Sequence, residues 1–169
     1  MPIFTPISHD AFVADVMMLA DALRDGDWTP DYIVGIGRGG LVPAVYLSHT
    51  SGLPSLSVDW SSQVDEFAAG ALARFAARTH KGERLLFVDD INDSGMTIGK
   101  IRDTLADAAP GHVRFATLID NVRSAQRIDY AARRIDRDVT KDWFVFPWEA
   151  VASDAAIAED AAEVPSRTA

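Results

Sequence analysis

Apolar residues in this chain follow two rhythms. The first is the short continuous run: Tyr32-Ile33-Val34-Gly35-Ile36, Leu85-Leu86-Phe87-Val88 and residues 113–119, each bounded by polar or turn-forming residues. Runs of that length suit parallel strands buried on both faces. Residues 55–58 and 128–135 suit lesser strands, the second at a sheet edge because Arg133 and Arg134 interrupt it. The second rhythm is helical. Phe12, Val16, Leu19 and Leu23 form one stripe behind a candidate N-cap at Ser8, with Gly26 able to end it. A helix over 41–49 takes Pro43 in its first turn, and Gly52 and Pro54 mark its end. Residues 64–77 are alanine-rich with Leu72 and Phe75, and Ile98, Ile101 and Leu105 recur at i, i+3, i+7. Strand followed by helix, repeated, predicts an α/β fold: three layers, a mostly parallel sheet flanked by helices, in a single domain over 1–169.

Composition narrows the function classes. A hydrophobic share of 48% with 24% charged residues is that of a soluble globular protein. No apolar run approaches the roughly 20 residues that span a bilayer, and MPIFTPISHD lacks a basic region before an apolar one, so no membrane partner and a cytoplasmic location are expected. The absence of cysteine excludes disulfides and thiolate zinc sites. The histidines, at 9, 49, 80 and 112, lack paired metal spacing. A net charge of −9 argues against nucleic-acid binding, which needs clustered Lys and Arg. From 149 to 169 the chain carries five acids and one base, an acidic tail of charge −4, with a short helix expected over 150–162 and disorder at the very end.

The most informative stretch is LLFVDDINDSGMT, residues 85–97. A buried strand runs into two carboxylates, Asp89 and Asp90, then into a loop with Ser94, Gly95 and Thr97 that opens a helix. Backbone N–H groups and the positive end of the helix dipole converge in such a loop and can cradle a phosphate. The two acids would repel that phosphate unless Mg²⁺ screens them or they hold sugar hydroxyls. A ligand combining phosphate, ribose diol and Mg²⁺ satisfies every group; a plain strand end with a Ser94 cap is the simpler account.

Gly37-Arg38-Gly39-Gly40 follows the first core strand. With Gly35 it fits the G-x-G-x-x-G dinucleotide fingerprint, and Asp59 lies about 20 residues on. Against that reading, the helix is short and the acid should end a second parallel strand. A glycine-rich turn bearing one guanidinium equally presents N–H groups and a forked cation to a diphosphate. Near the C-terminus, DWFVFPWE offers aromatic faces for a planar base, or a core strand closing the domain.

VDDINDSGMT resembles the phosphoribosyl-pyrophosphate (PRPP) signature of type I phosphoribosyltransferases. GRGGLVPA resembles the pyrophosphate loop of the purine-type members, and DWFVFPWE resembles the base-binding end of xanthine-guanine and related enzymes. The resemblance covers about 30–149, weakly between 59 and 83. It implies that Asp89 and Asp90 hold the ribose hydroxyls and Mg²⁺, that Asp93, Ser94, Gly95, Met96 and Thr97 wrap the 5′-phosphate, and that Gly37, Arg38, Gly39 and Gly40 hold the pyrophosphate. Trp143 would stack on the base, Phe144 would offer its carbonyl, and Glu149 would touch a second metal. Asn121 stands where the purine enzymes carry a base-reading lysine, although an asparagine there also suits a turn. The family's mobile loop corresponds to about 59–83, but its Ser-Tyr pair is absent and Trp60-Ser61-Ser62 stands nearby.

The implied activity is transfer of the phosphoribosyl group from Mg-PRPP to a purine-like base, with Asp93 the candidate general base. Its partners are PRPP and the base, and a homo-oligomer, dimer or tetramer, is expected. A PRPP-sensing module without catalysis, or an enzyme with a non-purine acceptor, are the alternatives.

Overall fold

The computed structural model describes residues 3–60 and 65–162. Five strands form an all-parallel sheet: β2 (Tyr32–Ile36), β3 (Ser55–Val58), β4 (Leu85–Asn92), β5 (Val113–Asn121) and β6 (Tyr130–Ile135), in the order β3-β2-β4-β5-β6. Alternation along each strand divides the core in two. Ile33, Leu86, Val88 and Leu118 face one layer, with Phe12 and Leu19 of α1 (His9–Asp25) and Leu47 of α2 (Gly37–Ser51). Val34, Leu85, Phe87 and Phe115 face the other, with Leu72 of α3 (Asp65–Thr79) and Ile98 and Ile101 of α4 (Met96–Thr104). The three-layer α/β expectation therefore holds. Ser8 caps α1 by accepting the Ala11 N–H at 3.2 Å.

Several boundaries differ from the sequence reading. α2 begins at Gly37 rather than 41, so the glycines form its first turn and Pro43 stands inside the helix. Anchoring by the buried strand on one side and Leu47 on the other overrides the poor helix propensity of glycine. The helix expected over 64–77 runs as α3 over Asp65–Thr79, with Leu72 and Phe75 buried against Phe87, so most of the stretch that corresponds to the family's mobile loop is helical. Of Trp60-Ser61-Ser62, the two serines lie outside the described residues. β5 runs on through Asn121, which is a buried strand end and not a turn residue. The last helix, α5, spans Asp154–Ala162, and residues 163–169 lie outside the described region.

An element with no forewarning is β1 (Ile3–Pro6), which pairs in parallel with β7 (Asp142–Val145) as a separate two-stranded sheet. Thr5 Oγ1 donates to Asp142 Oδ1 at 2.6 Å and Ile7 N–H to the Val145 carbonyl at 2.8 Å. The N-terminus thus carries the aromatic segment onto the sheet's C-terminal edge. Among the described residues no helix is long and apolar enough to cross a membrane.

Candidate active site at the sheet's switch point

From β2 the chain crosses to β3 on one side, whereas β4, β5 and β6 continue on the other. The order reverses between β2 and β4, and ligands of open α/β sheets sit beyond the strand ends at that crevice. Both glycine-bearing loops flank it. Gly40 packs so closely on β4 that a Cβ there would lie 2.0 Å from the Val88 carbonyl oxygen. At Gly39 a Cβ would lie 2.5 Å from Asp90 Oδ2. The expected diphosphate loop and the expected acid pair are therefore direct neighbours, brought together because only glycine admits the approach.

Each loop opens a helix whose N-cap has no side-chain hydrogen bond: Ile36 before α2, and Gly95, with φ +86°, before α4. N–H groups at such ends suit an anion. The second loop is held from outside. Asn92 Nδ2 donates to Asp120 Oδ1 and to the Gln126 carbonyl, both at 2.8 Å, and Ser124 Oγ donates to Asn92 Oδ1 at 3.0 Å. Gly95 lies against Ser124 and Gln126, which leave no room for a Cβ. Ser94 is exposed, and its Oγ accepts the Met96 N–H at 3.3 Å.

Asp89 Oδ1 accepts the Asp90 N–H at 3.0 Å, and Asp90 Oδ1 accepts the Ile91 N–H at 2.7 Å. Both side chains are half-buried at the strand tip. Among the described residues no group of three His, Cys, Asp or Glu converges as a metal cage. The expected arrangement asks for no such cage, since it gives Asp89 and Asp90 one metal and Glu149 another. A carboxylate pair at the crevice still suits Mg²⁺, which is bound through one or two carboxylates together with substrate phosphates. Glu149 Oε2 accepts the Phe146 N–H at 2.7 Å. Desolvation raises its pKa above the ordinary value, and the Phe146 N–H and, to a lesser degree, the charge of Arg38 partly offset this.

Beyond the acids lies a cavity of about 150 Å³ walled by Asp90, Asp93, Arg137, Trp143, Phe144 and Glu149. A hollow of about 390 Å³ between Met17, Leu23, Pro30 and Leu53 is larger, but it lies at the opposite end of the strands. Trp143 and Phe144, the residues expected to hold a base, both line this cavity. Trp148 instead turns to the core, stacked on Phe146 at 4.8 Å and edge-on to Phe12 at 5.3 Å.

The sequence reading missed Arg137. Its Nε donates to both oxygens of Asp93 at 3.1 Å and its Nη2 to Asp93 Oδ2 at 2.8 Å, with both side chains buried. Nη1 donates to the carbonyls of Thr140 at 3.2 Å and Asp142 at 2.6 Å. Asn121, expected to face a base, has its amide committed: Nδ2 donates to the Asp93 carbonyl at 3.0 Å, and Oδ1 accepts the Arg123 and Arg137 N–H groups. Nothing local signals the Arg137 contact, which joins positions 44 residues apart.

The objections to dinucleotide binding fare differently. α2 is a full 15 residues, and Asp59 does follow a second parallel strand. What remains against it is the Asp90 carboxylate pressed on Gly39, which disfavours a diphosphate that arrives without a cation.

Solved structures share this architecture. A purine phosphoribosyltransferase from Pyrococcus horikoshii is 24% identical, over 88% of this chain and 96% of its own, with a TM-score of 0.63. A hypothetical protein from Neisseria gonorrhoeae with bound ppGpp is 20% identical over 95% and 98%, at 0.71. The xanthine-guanine-hypoxanthine phosphoribosyltransferase of Helicobacter pylori is 19% identical over 93% and 99%, at 0.66. The sequence pattern of the phosphoribosyl transferase domain matches residues 7–153. With both glycine loops at one crevice and that match over most of its length, the chain belongs to the phosphoribosyl transferase domain family.

Proposed function

We propose that this phosphoribosyltransferase moves the phosphoribosyl group of PRPP to a ring nitrogen of a purine base, releasing pyrophosphate, as in purine salvage. The observation that carries the reading is the apposition of Gly39 and Gly40 to Val88 and Asp90, which lets one sugar bridge the two loops. The first turn of α2, with Arg38, takes the diphosphate, and residues Asp93 to Thr97 take the 5′-phosphate. Asp89 and Asp90 face the ribose hydroxyls. Trp143 and Phe144 supply a flat apolar wall for the base, beside the anomeric carbon.

Bond breaking at the anomeric carbon leaves positive charge on the sugar, which the acid pair stabilises, while Arg38 neutralises the departing diphosphate. Magnesium brought in with PRPP would be held by Asp89 and Asp90, with Glu149 nearest to a second ion, and would screen the diphosphate charge. As the new bond from ring nitrogen to sugar forms, the nitrogen's proton passes to Asp93, which Arg137 holds in orientation at the cavity wall. Assembly as a dimer or tetramer in the cytoplasm belongs to the same reading.

The test is pyrophosphate release from Mg-PRPP over a panel of hypoxanthine, guanine, xanthine and adenine. Release with at least one purine is expected. Tight PRPP binding with no release for any acceptor would reject transfer and leave a PRPP sensor; release only with non-purine acceptors would reject the purine.

A further inference from the structure

Any base entering the aromatic cavity meets charged walls that, among the described residues, are three acids, Asp90, Asp93 and Glu149, and a single cation, Arg137. A base that carries an exocyclic oxygen needs a donor, and the acids, as carboxylates, cannot supply one. Asn121 cannot serve. Its amide donates to Asp93, its oxygen accepts two main-chain N–H groups, and it is buried behind that aspartate.

Arg137 has the capacity that Asn121 lacks. A guanidinium carries five N–H groups. Nε serves Asp93, the two on Nη1 serve Thr140 and Asp142, and one on Nη2 serves Asp93 Oδ2. The other Nη2 hydrogen has no partner among the described residues, on a side chain only 9% exposed that lines the cavity. A buried donor in that state favours an acceptor group on whatever fills the space. The carbonyls of Thr140 and Asp142, and the Phe144 ring 5.4 Å from the guanidinium carbon, fix its plane beside Trp143.

We propose that Arg137, from the connection between β6 and β7, reads the exocyclic oxygen of the acceptor and makes this a site for oxopurines. The proposal rests on the purine-transfer reading above. An exocyclic amine at the same place would set donor against donor, so adenine is the disfavoured base.

The experiment measures kcat/KM for hypoxanthine and for adenine, at saturating PRPP, in the wild type, Arg137→Gln, Arg137→Lys and Asn121→Ser. The readout is the hypoxanthine-to-adenine ratio, in which a common loss from a disturbed Asp93 cancels. The wild type should favour hypoxanthine. Arg137→Gln should lower the ratio by about 10- to 100-fold, the value of one charge-assisted hydrogen bond, and Arg137→Lys by less. Asn121→Ser should leave the ratio alone even where its rates fall. If Arg137→Gln does not fold in a melting assay, Arg137→Lys decides by the same ratio. An unchanged ratio in active Arg137 variants, a ratio moved instead by Asn121→Ser, or a wild type that prefers adenine overturns the proposal alone. A wild type that releases no pyrophosphate with any purine overturns the purine-transfer reading, and this proposal with it.

Discussion

The two halves of the site are built by different means. The sugar-phosphate half is made of loops that directly follow β2 and β4, each a handful of consecutive residues that open a helix. The acceptor half is assembled from segments far apart in the chain: Asp93, Asn121, Arg137 and β7, with β7 held in turn by Thr5 across 137 residues. In the proposed reading, backbone N–H groups do the work in the first half. In the second it falls to one buried ion pair and its hydrogen bonds. Phosphates look alike on every substrate, so a local motif suffices for them. A base must be told from other bases, and that takes side chains fixed from several directions.

The difference predicts where the site breaks hardest. Asp93→Asn removes the candidate base and leaves Arg137 buried without its anion. A loss of about 10²- to 10⁴-fold in kcat is expected from the lost proton transfer. A stability loss of about 3–5 kcal/mol is expected from breaking a buried pair. PRPP should still bind, because Asp93 lends the phosphate loop its main chain while its carboxylate is turned to Arg137; isothermal titration checks this. Turnover near the wild-type rate in Asp93→Asn would reject the base assignment. Adding Arg137→Met should restore part of the melting temperature but none of the rate, because burial of an unpaired charge is relieved while the base stays absent.

Next in size are the glycines of the phosphate half, which differ in what they touch. At Gly40 an added Cβ meets the Val88 main chain, which cannot move without disturbing the central strand. Gly40→Ala should cost about 1–3 kcal/mol or more and abolish PRPP binding. At Gly39 the obstacle is the Asp90 carboxylate, a side chain that can rotate away. Gly39→Ala should melt near the wild type yet bind Mg-PRPP more weakly, because Asp90 is displaced. If the two variants lose stability equally, the loops do not meet as described.

What could be read from the chain follows the same division. Leu85 to Val88, bounded by acids, announced a central strand, and the strand's own alternation explains the three layers. The helix at Ile98, Ile101 and Leu105 and the edge strand before Ile135 were equally visible, since apolar spacing is a local property. Asp89 to Thr97 and Gly37 to Gly40 stood out because the chemistry of a phosphate loop lies within a few residues. β1 did not: Ile3-Phe4-Thr5-Pro6 is too short, and too exposed at Ile3, to show a buried face, and only its pairing with β7 makes it a strand. α3 was legible from its alanines with Leu72 and Phe75, although nothing local shows that they pack on Phe87. Arg137 was invisible for a stricter reason. Asp136-Arg137-Asp138 looks like an exposed charged turn, and only the fold carries the middle residue inward while Asp136 and Asp138 pair with Arg123 on the surface.

The smallest effect expected is at a second ion pair, away from the site, which serves as a control for the first. Asp15 of α1 is 4% exposed and lies 2.7 Å from Arg133 of β6, yet the contact lacks hydrogen-bond geometry and leaves Asp15 Oδ2 and Arg133 Nη2 without such a partner. Desolvation outweighs the attraction of Arg133 and raises the Asp15 pKa above its ordinary 3.8. A raised carboxyl pKa means that the fold prefers the protonated acid. Its stability contribution is complete below about 3.8 and is lost as the pH rises through the raised value. Asp15→Asn keeps the shape without that ionisation. Denaturant titrations of both proteins from pH 3.5 to 8 should therefore show the variant gaining on the wild type as the pH rises, then holding a constant lead, with the oxopurine ratio untouched. A variant that falls behind as the pH rises would mean that the Arg133 attraction prevails, and that this pair is held as tightly as Asp93 and Arg137.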